Sequence, residues 1–206
     1  MVDSRKLVDF IESLGDFVIQ PLNNRGYGHM GATITDSILQ AGLNYKTVVE
    51  PRVRAVLEGF PLATTSTEFL GILTEHGANR ILSWRHPEKP RRVHELTTFF
   101  VDENVDTEEC LGRYLSSAIN CEKLLALKGI GPKTLDYLRN FAGIPTIAVD
   151  RHINRFVAVA RIECSSYRET SSIVYAAADL LAVRASDLDY AIWKYVSEGR
   201  LTRVIH

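Results

Sequence analysis

The sequence predicts an all-α protein built from ten or so short helices. Apolar residues recur at helical spacing along most of the chain, as in the stripe formed by Leu7, Phe10 and Ile11. Only Ile144–Val149 alternates apolar and polar residues, and this segment is too short to build a sheet. Capping residues and glycines separate the apolar stripes at short intervals, which is typical of small helices joined by tight connections.

Boundary signals place the helices in the first half of the chain. Thr65-Ser66-Thr67-Glu68 is a capping box that opens a helix, and the polar, glycine-rich stretch Pro21–Gly31 must be a loop. Pro87 and Pro90 are expected to interrupt the helical pattern. The remaining helices expected in this half span about 5–13, 32–41, 46–58, 78–84 and 92–102.

The second half should contain a further helix that opens at Asp106–Glu109 and two long helices near the end of the chain. The long helices are expected over about 167–183 and 187–198. Ser166–Glu169 and Ser186–Asp189 have the residue types of helix caps and are predicted to open them.

Composition excludes several classes of protein. The chain has 206 residues, of which 46% are hydrophobic and 24% charged, as in ordinary soluble proteins. No apolar run approaches the roughly 18–20 residues of a membrane helix, and the N-terminus has no signal-peptide core, so we expect a cytoplasmic protein without a membrane partner. Cys110, Cys121 and Cys164 form no CxxC pair, so neither a zinc site nor an iron–sulfur cluster is expected.

Basic residues are concentrated in two stretches, although the net charge of the chain is only −1. Residues 123–155 contain six Lys or Arg against two acids, and residues 79–94 contain five against one, so each stretch carries +4. A neutral protein that binds DNA needs such a local concentration of positive charge. The alternative is that the two stretches are ordinary solvated faces. This alternative applies most to the stretch 79–94.

The most informative segment is Leu124–Phe156. Gly129-Ile130-Gly131 reads as a hairpin whose glycines permit positive φ and the close approach of another backbone. Pro132 then opens a new helix, where its missing N–H costs nothing. Because a helix start presents free N–H groups and the positive end of the helix dipole, this hairpin predicts a phosphate-binding site, flanked by Lys128 and Lys133.

Two residues of this segment are candidates for chemistry. Lys133 lies in the first turn of the predicted helix, where the positive potential should lower its pKa and favour the neutral, nucleophilic amine. Such a lysine can form a Schiff base. Asp150 is placed to N-cap a helix over about 151–160, which would hold its carboxylate in a fixed position.

These motifs resemble those of the helix-hairpin-helix DNA glycosylase superfamily, which includes endonuclease III, the adenine-mismatch glycosylase and the 8-oxoguanine glycosylases. The matching residues are Gly129-Ile130-Gly131-Pro132-Lys133 and, about seventeen residues later, Val149-Asp150-Arg151-His152. The resemblance implies that Lys133 forms the Schiff base and Asp150 is the catalytic carboxylate. It also implies a two-lobed helical fold, with a lobe of residues 30–145 that holds the helix-hairpin-helix (about 121–142) and a second lobe of residues 1–29 and 146–206.

Further roles follow from the resemblance by position. The expected DNA contacts around the hairpin are Lys128, Gly129, Gly131, Thr134, Arg151 and His152. Gln40, Leu43 and Asn44 lie where family members place the residues that wedge into DNA, but the usual Ser-x-Gln-x-Thr pattern is absent, so helix-end packing is an alternative. The carbonyls of Leu125, Leu127 and Ile130 would hold a structural Na⁺ or K⁺, and no other cofactor is expected.

A flipped base needs a pocket with polar and aromatic groups, and two residues of the early loop have the required chemistry. Tyr27 and His29 lie there, although an ordinary loop explains them equally well. Tyr190, Trp193 and Tyr195 recur at helical spacing, which indicates the core or a lobe interface rather than a pocket.

The sequence therefore predicts a base-excision DNA glycosylase with β-elimination lyase activity, acting as a monomer on double-stranded DNA and, in a prokaryote, associated with the nucleoid. Two alternatives remain open. One is a monofunctional glycosylase in which Asp150 activates water, and the other is a catalytically silent DNA-binding protein that uses only the hairpin. The excised base does not follow from the sequence, because pocket residues are scattered over several helices.

Overall fold

The computed structural model describes residues 2–22 and 26–203. Within these residues every regular element is helical, which confirms the all-α class. The described residues fall into two compact units, one within the ranges 1–23 and 145–206 and the other within 24–144. None of the helices in the described part of the chain is long and apolar enough to cross a membrane.

Twelve α-helices follow one another through the described residues. In chain order they are α1 (Val2–Ser13), α2 (Met30–Leu39), α3 (Glu50–Gly59), α4 (Ser66–His76), α5 (Ala78–Ile81), α6 (Glu88–Asp102), α7 (Glu108–Leu115), α8 (Ala118–Leu125), α9 (Pro132–Phe141), α10 (Arg151–Val159), α11 (Tyr167–Leu180) and α12 (Ala185–Ser197). A π-helical turn, Tyr45–Val49, precedes α3, and a 3₁₀ turn, Arg200–Arg203, follows α12.

Helix α2 is the centre of the unit formed by residues 24–144. All ten of its residues are buried, and it packs against α3, α4, α6 and α9. Its small residues let neighbours approach closely, since a Cβ on Gly31 would lie 2.9 Å from the Phe69 ring. Each large apolar side chain fully buried in such a core contributes about 1.5–3 kcal/mol. A helix buried on all sides also buries its polar side chains, which then need hydrogen-bond partners.

Phe156 is the centre of the unit that contains the two ends of the chain. Its ring contacts those of Phe10, Phe17 and Tyr195, with centroid separations of 5.2, 5.4 and 6.3 Å. Helix α1 packs on α11, and α10 packs on α12. Because Phe156 lies on α10, this aromatic cluster fixes the helix that begins just after Asp150.

The structure confirms the expected role of Pro87 and corrects that of Pro90. The helical pattern is interrupted between Ile81 and Glu88, where Pro87 lies, but α6 begins at Glu88 and continues for 15 residues through Pro90. Pro87 is the residue just before the helix, and Pro90 lies in its first turn. N–H groups of a first turn have no intrahelical acceptor, so a proline there removes no hydrogen bond.

Several other boundaries differ from the expected ones. The predicted cap at Ser186–Asp189 is wrong, because α12 begins at Ala185 and Ser186 lies inside it. The helix expected over 46–58 is divided into the π-helical turn and α3. The helix expected over 78–84 ends at Ile81, and Ser83 has a φ of 46°. The capping box at Thr65–Glu68 is confirmed, with both of its hydrogen bonds present.

Candidate functional site

The hairpin joins α8 to α9 by a short, internally bonded turn. Helix α8 ends at Leu125, and the N–H of Ile130 donates to the carbonyl of Leu127 over 3.1 Å. The Ile130 side chain is buried in the core of the unit, which ties the tip of the hairpin to the protein. The turn is therefore a rigid platform at the start of α9.

The two hairpin glycines have different roles. Gly129 has a φ of +87°, and a Cβ there would lie within 3.0 Å of the Nε, Cζ and Cδ atoms of Arg92. Gly131 has an extended φ of −122°, and a Cβ there would meet nothing within 4 Å. The expectation that both glycines serve positive φ and close approach is thus confirmed for Gly129 and wrong for Gly131. The space that a side chain at Gly131 would occupy is open instead.

Lys133 is the second residue of α9, in its first turn, as the sequence predicts. Its Nζ lies 5.4 Å from the centroid of the Tyr137 ring, one turn further along the helix. The neighbouring Thr134 side chain is buried, whereas Lys128 on the other side of the hairpin is exposed. The N–H groups of Lys133 and Thr134 belong to the helix start and have no intrahelical acceptor.

Sequence reasoning missed two cations of α6, of which one lies at the end of α2 and the other beside the hairpin. The Nζ of Lys89 donates to the carbonyls of Ile38 and Ala41, over 2.6 and 3.1 Å, at the C-terminal end of α2. Arg92, three residues further on, packs against Gly129 and binds Glu88 over 2.8 Å. The only sequence signal for either residue was the positive charge of the stretch 79–94, which does not single them out.

Burial lowers the pKa of Lys89 to about 8, with smaller contributions from the charges of Arg92 and Lys133. Lys89 therefore lies at the end of α2, and Arg92, one turn further along α6, adds a positive charge beside the hairpin.

Several of the basic residues counted in the sequence have local acidic partners. Arg91 binds both Glu88 and Glu95, Lys123 binds Glu103, and Arg139 binds Asp136. Surface ion pairs of this kind add little stability, but they reduce the positive charge that a phosphate would meet. The described basic surface is consequently narrower than the two charged stretches suggest.

The segment expected to wedge into DNA has structural contacts of its own. The Gln40 side chain donates to Asp36 Oδ1 over 2.6 Å. Leu43 packs on the small cluster around Leu39 and Val49. Asn44 caps the π-helical turn by accepting from the N–H of Thr47 over 3.1 Å. These contacts are those of helix-end packing, and the wedge role stays a prediction.

A buried carboxylate lies next to this segment. Asp36 accepts hydrogen bonds from the Tyr27 hydroxyl and from Gln40. Burial raises the pKa of Asp36 to about 6, although both hydrogen bonds act in the opposite direction. No local pattern indicates Asp36, because its burial depends on helices that pack around α2 from distant parts of the chain.

Both candidate pocket residues, Tyr27 and His29, make hydrogen bonds or ring contacts with other residues of the protein. His29 is buried and caps α2, with Nδ1 accepting from the N–H of Ala32 over 3.1 Å and Nε2 lying 2.9 Å from the Phe60 carbonyl. The Tyr27 ring packs on Phe141 with a centroid separation of 5.4 Å. Residues 23–25 of the same loop lie outside the described residues.

Asp150 is held by the start of α10, as predicted. Its Oδ1 accepts from the N–H groups of His152 and Ile153 over 2.8 and 2.9 Å, and its Oδ2 lies 2.9 Å from His152 Nδ1. His152 in turn contacts the Trp193 ring edge-to-face at 6.3 Å, and Trp193 stacks on Tyr190. The side chain of Asp150 is only 10% exposed, so its carboxylate is fixed in position.

Lys133 and Asp150 belong to different compact units, since Lys133 lies in the unit of residues 24–144 and Asp150 in the other. Arg151, the residue after Asp150, is exposed at the start of α10. Each of the two candidates has the local setting that its motif predicts, a first helical turn for the lysine and an N-cap for the carboxylate.

In the described part of the chain, no group of three or more His, Cys, Asp or Glu side chains is arranged to hold a metal ion. Cys110, Cys121 and Cys164 are free thiols. Of the three carbonyls expected to bind Na⁺ or K⁺, that of Leu127 already accepts from Ile130 N–H, which leaves it one lone pair for a cation.

Residues 5–197 match the family described as Domain of unknown function (DUF8548). No curated protein and no solved structure matches the chain.

Proposed function

We propose that this chain, which belongs to the family described as Domain of unknown function (DUF8548), is a base-excision DNA glycosylase with an associated abasic-site lyase activity. The observation that carries the proposal is the hairpin Gly129–Lys133, which presents Lys133 in the first turn of α9, with Arg92 packed against Gly129. The fixed carboxylate of Asp150 supplies the second group that this chemistry needs.

The hairpin is suited to hold a DNA phosphate. The start of α9 offers N–H groups without intrahelical acceptors and the positive end of the helix dipole. The open side of Gly131 leaves room for an anion to approach these groups. Exposed Lys128 adds a positive charge at the turn.

Lys133 is the nucleophile in the proposed reaction. Its neutral amine adds to C1′ of a flipped nucleotide while the bond from C1′ to the base breaks, and the departing base takes up a proton. The C1′–O4′ bond then breaks, O4′ takes up a proton, and the nitrogen lone pair forms the C=N bond of a Schiff base between Lys133 and C1′. Loss of a proton from C2′ then breaks the C3′–O bond, which cleaves the strand 3′ to the lesion.

Asp150 has an electrostatic role. Positive charge develops on the sugar as the base leaves, and a carboxylate held in place by its own helix stabilises that charge without reorganising. Its two oxygens have about four acceptor sites, of which the described hydrogen bonds occupy three, so one remains for the reacting groups.

Base release from a panel of duplexes, each with a single damaged or mismatched base, tests the proposal. Wild type should release at least one base and cleave the strand, and Asp150→Asn should lose at least about 100-fold in rate. Lys133→Gln should abolish strand cleavage, while Lys6→Gln, at an exposed position of α1, is the matched control that leaves both steps intact.

Two results would overturn the proposal in different ways. Base release without strand cleavage by wild type would indicate the monofunctional glycosylase and remove the lyase. Salt-dependent DNA binding with no base released from any duplex would indicate a catalytically silent DNA-binding protein.

A further inference from the structure

His152 is a half-buried histidine in the first turn of α10, and its ring lies against the proposed catalytic carboxylate. Its Nδ1 is 2.9 Å from Asp150 Oδ2, and the two side chains are only 19% and 10% exposed. A second neighbour of the ring is Trp193 of α12, which meets it edge-to-face at a centroid separation of 6.3 Å and stacks on Tyr190 at 5.8 Å. Contacts within the protein therefore set the position of the imidazole.

The backbone that leads into Asp150 is fixed by α11 and α12. The N–H of Ala148 donates to Asp189 Oδ1 over 3.1 Å. The N–H of Val149 donates to the Tyr167 hydroxyl over 3.2 Å. Asp150 Oδ1 accepts from the N–H groups at the start of α10, so Oδ2 is the carboxylate oxygen whose described partner is a side chain rather than the backbone.

The chemistry of the pair decides which ring nitrogen carries the proton. A carboxylate oxygen only accepts hydrogen bonds, so a bond between Nδ1 and Oδ2 requires the proton to lie on Nδ1. In the neutral ring Nε2 is then an acceptor. Because a phosphate oxygen is an acceptor as well, a neutral His152 in this tautomer has no ring proton to donate to DNA.

We propose that His152 is a positioning residue, which orients the carboxylate of Asp150 through Nδ1, rather than the DNA contact that its place in the motif predicts. The torsion about the Cβ–Cγ bond of an aspartate is soft, so bonds to Oδ1 alone let the carboxylate rock or exchange its oxygens. A donor on Oδ2 removes this freedom and leaves the fourth acceptor site with one direction. The consequence for catalysis rests on the proposed function, whereas the hydrogen bond and the tautomer do not.

Nitrogen NMR of the whole protein tests the hydrogen bond without any DNA. At a pH where the ring is neutral, the protonated and unprotonated nitrogens of an imidazole have well-separated ¹⁵N chemical shifts. His152 should carry its proton on Nδ1, because the hydrogen bond that the ring makes sets the tautomer. The His152 signals are identified by their absence from His152→Asn, and a neutral His152 with its proton on Nε2 would overturn the proposal.

Two substitutions separate the roles of the two ring nitrogens. The amide nitrogen of asparagine lies the same number of bonds from Cα as Nδ1, and that of glutamine the same number as Nε2. His152→Asn therefore keeps a donor for Asp150, and His152→Gln keeps one only at the Nε2 position. With lesion DNA in excess, His152→Gln should release base about 10- to 100-fold more slowly than wild type, because a misdirected carboxylate stabilises the developing charge less well. His152→Asn should recover most of the wild-type rate.

DNA affinity, measured by fluorescence anisotropy, should be the same for wild type and both variants, since the proposal gives His152 no phosphate contact. His76→Gln, at a partly exposed histidine that ends α4, is the matched control and should change neither the rate nor the affinity. A wild-type rate in His152→Gln, or equal losses of rate in both variants, would overturn the positioning role. Weaker DNA binding by His152→Asn than by His152→Gln would indicate a phosphate contact at Nε2 instead.

The two readouts together separate this inference from the proposed function. No base release by wild type, despite a His152 proton on Nδ1, would contradict the glycosylase and leave the hydrogen bond to Asp150 intact. Base release by wild type with the proton on Nε2 would contradict this inference alone.

Discussion

At the scale of single residues, two aspartates show which environments can be predicted from neighbouring residues and which depend on the tertiary structure. Asp150 could be predicted from the sequence, because an N-cap is made with the residues that follow it within one turn. Asp36 could not, because it is buried by helices from distant parts of the chain and bonded to Tyr27 across nine residues. Sequence patterns therefore indicate a contact made within one helical turn, but not an environment built by distant helices.

Asp36 leads to a prediction about stability and pH. Its folded pKa of about 6 lies above its usual value of 3.8, so the folded state holds the proton more tightly between these values. Wild type therefore loses stability from this group as pH rises from about 4 to 6. Asp36→Asn lacks this titration. Relative to wild type, the free energy of unfolding of Asp36→Asn should therefore rise by about 2–2.5 kcal/mol between pH 4 and pH 7.

Urea denaturation at several pH values measures this difference. Asp9→Asn, which changes an exposed carboxylate of α1, is the matched control and should show no comparable trend. A difference between Asp36→Asn and wild type that stays constant from pH 4 to pH 7 would show that Asp36 is not the titrating group.

At the scale of elements, helices that carry local boundary signals could be predicted and those set by packing could not. The capping box of α4 and the hairpin before α9 are both made of neighbouring residues. The start of α12 at Ala185 is different, because Arg184 caps it with its backbone and Asp187 is bonded to the N–H of Leu22. A partner 165 residues away leaves no mark on the local sequence.

The hairpin glycines allow a matched pair of substitutions. Gly129→Ala should destabilise the fold by at least about 1–2 kcal/mol, because its φ is positive and the new methyl group would meet Arg92. Gly131→Ala should change stability by less than about 0.5 kcal/mol, because its backbone is extended and the space beside it is open.

The same pair separates folding from DNA binding. If a phosphate uses the open side of Gly131, a methyl group there should weaken DNA binding in a fluorescence anisotropy titration while the unfolding midpoint stays unchanged. Equal stability of Gly129→Ala and wild type would contradict the geometry of the turn. Unaltered DNA affinity in Gly131→Ala would contradict the phosphate site.

At the scale of the whole molecule, each compact unit has its own apolar core and carries one of the two candidate residues. Lys133 lies in the unit of residues 24–144, and Asp150 lies in the other. The all-α class could be predicted, and so could the first-turn position of Lys133 and the N-cap position of Asp150, because helical periodicity and motif spacing are properties of short segments. The positions of Lys89 and Arg92 could not be predicted from the sequence, because they depend on the packing of α6 against the end of α2 and against the hairpin.

The central claim is that Lys133 forms a covalent intermediate with DNA. Incubation of the protein with a duplex containing one abasic site, followed by borohydride reduction and peptide mapping, tests this claim directly. Wild type and the control Lys6→Gln should give an adduct located at Lys133, and Lys133→Gln should give none. No adduct with wild type, or an undiminished adduct with Lys133→Gln, would contradict the account.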